Sequence, residues 1–267
     1  MPKPSISPTV VLSAEAKIGR NVTIGPFAVL GAAVLGDDAV IHSHVVIGDG
    51  VVIGDRVEIF PGALLGKEPK GAGVTAREPV FKRKVLIGPD CSIGPHSVIY
   101  YDVEIGAGTL IGDGASIREQ CRIGAKCIIS RYVTINYNTI VEDRCKVMDL
   151  THLTGNMIIR AGAFVSTMVA TTNDNVIRSG YGDHVVGPEI GEDAIVGAGA
   201  TLLPGVKIGR SSIVAAGSVV TKDVADKATV MGTAARPKQS AICRNCGSVP
   251  TDHGCCEEPD FPIQAAR

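Results

Sequence analysis

Large aromatic side chains are scarce in this sequence of 267 residues, which has no tryptophan, 5 phenylalanines and 5 tyrosines. A core built around rings is therefore excluded. The 26 basic and 27 acidic residues almost cancel, so nothing favours a polyanionic partner. No apolar run approaches the ~18 residues of a membrane span, and residues 1–13 lack the layout of a secretory signal. We expect a soluble, cytoplasmic protein with an aliphatic core.

A period of six residues dominates the sequence. Every sixth residue from Ile87 to Val165 is aliphatic, and the same step runs through 18–30, 35–65 and 190–220. A helix repeats near 3.6 residues and a strand alternates at two, so a period of six fits a short strand followed by a turn. Glycine follows many of these aliphatic residues, as in Ile53-Gly54, which predicts a corner with positive φ.

Three strand-and-turn units would close a triangular coil of about 18 residues, and stacked coils would hydrogen-bond at a spacing of ~4.8 Å. The pattern over residues 11–236, aliphatic-Gly-x-x-small-x, resembles that of the hexapeptide-repeat acyltransferases. The resemblance implies an all-β fold, a left-handed parallel β-helix of about ten triangular coils. The left hand comes from the family, because the general rule for parallel crossovers gives the opposite hand.

The same resemblance divides the chain into a β-helix acyltransferase domain, residues 1–236, and a short Cys-rich tail, residues 237–267. In the family's fold the small residue of each hexad also points inward. We therefore expect four cysteines at that position to be core residues. They are Cys91, Cys121, Cys127 and Cys145.

Two long segments, 66–86 and 172–189, interrupt the repeat after residues of the third face, Leu65 and Thr171. Both loops must leave the coil at one edge, five coils or ~24 Å apart. Insertions in repeat proteins collect on the binding side, so this edge is the predicted site.

Between the two loops, the glycines of that edge are replaced by polar and aromatic residues. The replacements are Tyr100, Tyr101, Asp102, Arg118, Glu119, Gln120, Asn136, Tyr137, Asn138, Thr154 and Asn156. Asn and Asp suit turns, so a ladder that only stabilises the edge is one explanation. Arg, Glu, Gln and Tyr have no such preference, and we favour a ligand site.

His152 precedes a third-face residue, Leu153, and should point outward beside this edge. Histidine is the usual general base near neutral pH, so we predict that His152 is the base or an orienting group. A solvated surface histidine is the alternative. His42, His44 and His96 belong to corners of another edge, and His184 lies in the second loop.

Four segments, 171–175, 197–206, 219–224 and 230–236, look like stretches of nucleotide-sugar N-acetyltransferases, including the V-x-G-x-P-A-R signature with Ala234 in place of proline. The resemblance implies transfer of an acetyl or short acyl group from coenzyme A to the amino group of a nucleotide-linked amino sugar. It also implies a homotrimer with sites between subunits. The protein would place the reactants, deprotonate the amine and stabilise the oxyanion through backbone N–H groups.

The resemblance and the edge together assign candidate residues. The catalytic candidates are His152 and Asn173. The substrate-binding candidates are Arg118, Glu119, Asn136, Tyr137, Asn138, Asn156, Asp174 and Asn175. The positions expected along the coenzyme are Gly197, Ala198, Ala215, Ala216 and Lys222.

Other functions are open. O-acylation of a UDP-sugar by acyl carrier protein, as in lipid A synthesis, would use the same repeat, but those enzymes carry a His-Asp motif and a helical C-terminal domain. Here Leu153 follows His152, and the 47 residues after Val220 show no helical pattern. A metal-dependent carbonic anhydrase would need three converging histidines. A purely structural β-helix would not need two long loops at one edge.

The tail contains four soft metal ligands, Cys243, Cys246, His253 and Cys255, with Cys256 as an alternative to Cys255. Their spacing predicts a structural, tetrahedral zinc site. A disordered tail with reduced thiols or a disulfide is the alternative.

Overall fold

The computed structural model describes residues 4–71, 78–174, 185–233 and the backbone of 236–237. Its regular elements are short strands arranged in three sheets of 13, 11 and 10 strands. The described residues contain no helix, and therefore none long and apolar enough to cross a membrane.

Up to β32, each sheet collects every third strand of the chain, and β33 and β34 both join sheet A. Sheet A consists of β1 (Ser5–Ile6), β4 (Thr23–Ile24), β7 (Val40–Ile41), β10 (Glu58–Ile59), β13 (Ser92–Ile93), β16 (Leu110–Ile111), β19 (Ile128–Ile129), β22 (Lys146–Val147), β25 (Phe164–Val165), β28 (Ile195–Val196), β31 (Ile213–Val214), β33 (Thr229–Met231) and β34 (Arg236–Pro237). Sheet B consists of β2 (Val11–Leu12), β5 (Val29–Leu30), β8 (Val46–Ile47), β11 (Leu64–Lys67), β14 (Val98–Tyr100), β17 (Ser116–Ile117), β20 (Thr134–Ile135), β23 (His152–Leu153), β26 (Ala170–Thr171), β29 (Thr201–Leu202) and β32 (Val219–Val220). Sheet C consists of β3 (Lys17–Ile18), β6 (Val34–Leu35), β9 (Val51–Ile53), β12 (Val85–Ile87), β15 (Val103–Ile105), β18 (Arg122–Ile123), β21 (Ile140–Val141), β24 (Ile158–Ile159), β27 (Glu189–Ile190) and β30 (Lys207–Ile208).

The strands wind into a three-sided parallel β-helix, consistent with the left-handed form. Strands β1 to β30 make ten complete coils, three strands to a coil, as the sequence predicted. An eleventh coil is formed by β31, β32 and the isolated bridge between Ile208 and Val224. Strand β33 then begins a twelfth turn and pairs antiparallel with β34.

The register between coils is in step, so residues 18 apart in the uninterrupted region become neighbours. Thr134 pairs with Ser116 on one side and with His152 on the other. The aliphatic column is buried on the axis, and the four cysteines expected there are also buried, as predicted. Burial raises the pKa of the Cys121 thiol to about 12, which makes it an inert core group.

The glycines that follow the aliphatic residues have a different role from the one the sequence predicts. Gly54 does not have positive φ, and the left-handed residue of its corner is Arg56, with φ 55°. A Cβ on Gly54 would lie 2.6 Å from the backbone nitrogen of Pro89 in the next coil. Glycine is required there because the backbones of stacked corners approach closely, and the prediction of positive φ was wrong.

The chain leaves the coils after β11 and after β26 and returns at β12 and β27, so the described ends of both interrupting segments lie at the edge between sheets B and C. We call this the B–C edge, and the edge between sheets A and B the A–B edge. Several predicted residues lie outside the described part of the chain. They are Asn175, His184, Cys243, Cys246, His253, Cys255 and Cys256.

Candidate active site

Three asparagines of the B–C edge form an amide ladder, defined as Asn138, Asn156 and Asn173. The Asn138 amide donates to Asn156 Oδ1 at 2.9 Å, and Asn156 Nδ2 donates to the carbonyl of Val185 at 2.9 Å. Asn173 Nδ2 donates to the carbonyl of Gly155 at 3.1 Å. These amides connect successive coils and anchor the returning end of the second loop. Their described contacts therefore match the edge-stabilising explanation.

Glu119 and Arg118, both predicted substrate ligands, are paired with each other. Glu119 is fully buried, and Arg118 donates to it from Nε at 3.1 Å and from Nη2 at 3.2 Å. The carboxylate holds the guanidinium from below and is not presented to solvent, whereas the Arg118 side chain remains 31% exposed.

Cations and rings alternate along the same edge in a cation–ring column, defined as Lys67, Tyr100, Arg118 and Tyr137. Lys67 Nζ lies 4.3 Å from the Tyr100 ring centroid. The Arg118 guanidinium carbon lies 5.7 Å from the Tyr100 centroid and 6.0 Å from that of Tyr137. Sequence reasoning did not select Lys67 because it lies in the first interrupting segment, where the six-residue period gives no register.

His152 lies in β23, the eighth of the 11 strands of sheet B, and is half-buried. Its Nδ1 lies 2.7 Å from Thr134 Oγ1, and its backbone N–H donates to the carbonyl of Val169 at 2.9 Å. Burial lowers the pKa of His152 below its ordinary value. The imidazole is therefore neutral near pH 7, and no described residue hydrogen-bonds to its Nε2.

Asn136 lies on the B–C edge directly above Arg118, whose backbone N–H donates to Ile135 in the same coil as Asn136. Its own backbone N–H donates to the carbonyl of Leu153 at 2.8 Å. Its side-chain amide is half-buried and has no hydrogen-bond partner among the described residues. Asp174 follows Asn173 at the start of the second loop.

Three exposed apolar residues line the A–B edge beside His152 in an apolar ladder, defined as Tyr132, Leu150 and Met168. Their exposures are 61%, 58% and 61%, and all three have left-handed φ, at 55°, 62° and 59°. Bulky side chains are costly in this conformation, and the same corner of other coils has glycine, such as Gly114 and Gly199. The ladder was not predicted, although bulky residues at the third position of the corner are its signal in the sequence.

The five positions expected along a coenzyme do not form one surface. Gly197, Ala198, Ala215 and Ala216 are stacked on the A–B edge, where Gly197 donates its N–H to the carbonyl of Val214 at 2.8 Å. Lys222 follows β32 and lies on the B–C edge, across the width of sheet B.

The family profile of the bacterial transferase hexapeptide (six repeats) matches residues 32–67, 84–119, 102–137 and 187–222. These ranges coincide with the coils described above. The chain therefore contains hexapeptide repeats in these ranges. The match leaves out residues 1–31, 68–83, 138–186 and 223–267, so His152 and the second loop lie outside it.

The curated relatives of the chain are acyltransferases by name. An acyl-[acyl-carrier-protein]–UDP-N-acetylglucosamine O-acyltransferase of Chlamydia abortus is 31% identical over 96 residues, 36% of this chain and 33% of that protein. The enzyme of the same name from Chlamydia caviae is 30% identical over 96 residues. The chain thus spans about a third of the length of the curated relatives it matches.

Among solved structures, an Arabidopsis UDP-N-acetylglucosamine acyltransferase has a TM-score of 0.53 at 18% identity, over 87% of this chain and 73% of that one. At this identity the likeness concerns the fold alone, and it agrees with the β-helix found here.

The comparisons correct the predicted cofactors. The relatives are named for acyl carrier protein as the donor, so the prediction of coenzyme A was wrong. The comparisons do not test whether Gly197, Ala198, Ala215, Ala216 and Lys222 contact a donor. The prediction of structural zinc is likewise not upheld. No group of three or more His, Cys, Asp or Glu residues that could hold a metal ion occurs in the described part of the chain, and the tail cysteines lie outside it.

Proposed function

We propose that the chain is an acyltransferase that moves an acyl group from acyl carrier protein to a hydroxyl group of a UDP-linked sugar. The relatives' names support the donor, the acceptor class and the bond that forms. One structural observation carries the proposal: His152, with Nε2 directed away from its partner Thr134, lies on sheet B between an apolar edge and a cationic edge.

A sugar hydroxyl is a weak nucleophile, so its attack on a thioester needs a base. With Nδ1–H donating to Thr134 Oγ1, His152 has its lone pair on Nε2. The Nε2 atom takes the hydroxyl proton while the oxygen attacks the thioester carbonyl. The thiolate then leaves the tetrahedral intermediate and receives the proton from His152, which gives an ester and the free thiol of the carrier.

The low pKa of His152 serves this role because it keeps the imidazole unprotonated at neutral pH. Thr134 fixes the ring orientation but, unlike a carboxylate, does not stabilise the imidazolium by charge. The His-Asp motif of the resembling O-acyltransferases is thus replaced here by a neutral partner.

The apolar ladder beside His152 offers a surface for the hydrocarbon part of the donor. Tyr132, Leu150 and Met168 lie on consecutive coils, which spans ~10 Å. Each buried methylene contributes roughly 0.8 kcal/mol, so donor chains that cover the ladder should react at lower concentration than acetyl. The homotrimer implied by the family resemblance remains a prediction, to be checked by sedimentation of the purified chain.

The test is transfer from acyl carrier protein, loaded with acetyl or a longer acyl chain, to UDP-N-acetylglucosamine. A base-labile ester product formed by the wild-type chain, and lost in His152→Gln, is expected. His96→Asn is the matched control, because His96 is exposed on the A–B edge with φ 56° and asparagine suits that conformation. Transfer only to a UDP-linked amino sugar, giving a base-stable amide, would instead establish the N-acylation predicted from the sequence.

A further inference from the structure

The cation–ring column is an arrangement that edge stability alone does not require. Elsewhere on the B–C edge, corners of the same kind are made by glycine, as at Gly48. In the middle coils, Tyr100 lies between Lys67 of the preceding coil and Arg118 of the following coil, and both cations are within 6 Å of its ring centroid.

The charges around the column leave one cation unneutralised. Glu119 accepts from Arg118, and Asp102 pairs with Arg122 at 3.0 Å. Glu68 pairs with Arg83. No described carboxylate pairs with Lys67, whose ammonium group lies against the Tyr100 ring. The surface is therefore positive where the ring holds Lys67 in place.

Arg118 also has donors to spare. Glu119 accepts from Nε and Nη2, so Nη1 has no hydrogen-bond partner among the described residues and belongs to a side chain that is 31% exposed. A planar guanidinium fixed from below by a buried carboxylate loses little side-chain entropy on binding an anion. A diphosphate, with two adjacent anionic groups, suits two cations that one ring holds apart.

We propose that Lys67 and Arg118 bind the diphosphate of a nucleotide-linked sugar, and that Tyr100 is the positioning residue that holds both cations. This inference rests on the proposed function for the nature of the acceptor. Arg118 and His152 are two coils apart, ~10 Å along the axis of the β-helix, which leaves room for one hexose between the diphosphate and the base.

The experiment measures equilibrium binding of UDP, UMP and uridine, without any acyl donor, by calorimetry. In Lys67→Gln, binding of UDP should weaken about tenfold or more, binding of UMP less, and binding of uridine hardly at all. Lys84→Gln is the control, because it removes an equal charge from the same edge away from the ring. Its effect on UDP should stay below about twofold.

Variants of the ring test its positioning role. Tyr100→Phe keeps the ring and should bind UDP almost as the wild type does, whereas Tyr100→Leu should lose most of the affinity that Lys67→Gln loses. Equal losses in Lys67→Gln and Lys84→Gln, equal losses for UDP and uridine, or no UDP binding by the wild type would each overturn the inference. The binding experiment is independent of the transfer assay. If UDP binding depends on Lys67 but the transfer assay finds no activity, only the proposed function is overturned.

Discussion

Thr134 and His152 occupy paired positions in neighbouring coils of sheet B, and Thr134 Oγ1 lies 2.7 Å from His152 Nδ1. The contact joins two side chains that are 18 residues apart in sequence. It fixes the orientation of the half-buried imidazole ring on the outer side of sheet B, with Nε2 directed away from Thr134.

The first prediction concerns this pair. His152→Gln should lower kcat for acyl transfer by about 100-fold or more, because general bases contribute ~10²–10⁴. Thr134→Val should lower kcat by about tenfold, because the ring loses its orienting partner but keeps its lone pair. Steady-state kinetics with saturating donor measures both. A loss below fivefold in His152→Gln would mean that another group, or none, takes the proton.

The second prediction is a pH dependence. The base must be neutral, and burial lowers the pKa of His152, so activity should persist as the pH falls below the ordinary histidine value of about 6.5 and decline only as it passes through the lowered pKa. The acid limb of kcat/KM reports this value for the free enzyme. An acid limb with a midpoint above 6.5, in a protein still folded by circular dichroism, would contradict the assignment.

The third prediction separates stability from activity at the apolar ladder. Leu150→Asn should raise the thermal midpoint of unfolding. Asparagine accepts φ 62° with about 1 kcal/mol less backbone strain than leucine. The same variant should lose kcat/KM for a long-chain donor while acetyl transfer stays nearly constant. Calorimetry and kinetics with two donor lengths check the pair of effects. Equal losses of kcat/KM for both donors would mean that the apolar ladder does not bind the donor chain.

The fourth prediction tests why glycine occupies the corners. Gly54→Ala should cost about 3 kcal/mol, because its Cβ would meet backbone atoms of the next coil at 2.6 to 3.0 Å. Gly199→Ala should cost about 1 kcal/mol, because its Cβ meets nothing within 4 Å and only its φ of 66° is unfavourable. Urea unfolding compares the two. A larger cost at Gly199 would show that conformation, not close approach, selects glycine in this fold.

The fold was predictable because its signal is local. An aliphatic residue at every sixth position assigns each strand to a face without knowledge of distant contacts, and Leu65 and Thr171 were enough to place both loops on one edge. The position of His152 followed in the same way, because Leu153 defines which neighbour points outward.

The contacts of the candidate site were less predictable, because they depend on side-chain directions between coils. Periodicity placed Arg118 and Glu119 together but could not tell that Glu119 is buried beneath Arg118. Nor could it place Lys67 over Tyr100, since the bulge after Leu65 breaks the register there. The identity of the acyl donor has no simple signature in the residue pattern, and the resemblance to N-acetyltransferases led to the wrong one.

The one-to-one register between coils also determines which insertions such a protein can accept during evolution. An insertion of 18 residues adds one complete coil and moves every later coil by ~4.8 Å along the axis, while each later residue stays in the same sheet. An insertion of six residues instead moves every later residue to the next of the three sheets. Insertions between Arg118 and His152 would therefore change the spacing of the proposed anion site and the proposed base only in whole coils. The length of acceptor that fits between them would change in the same discrete steps.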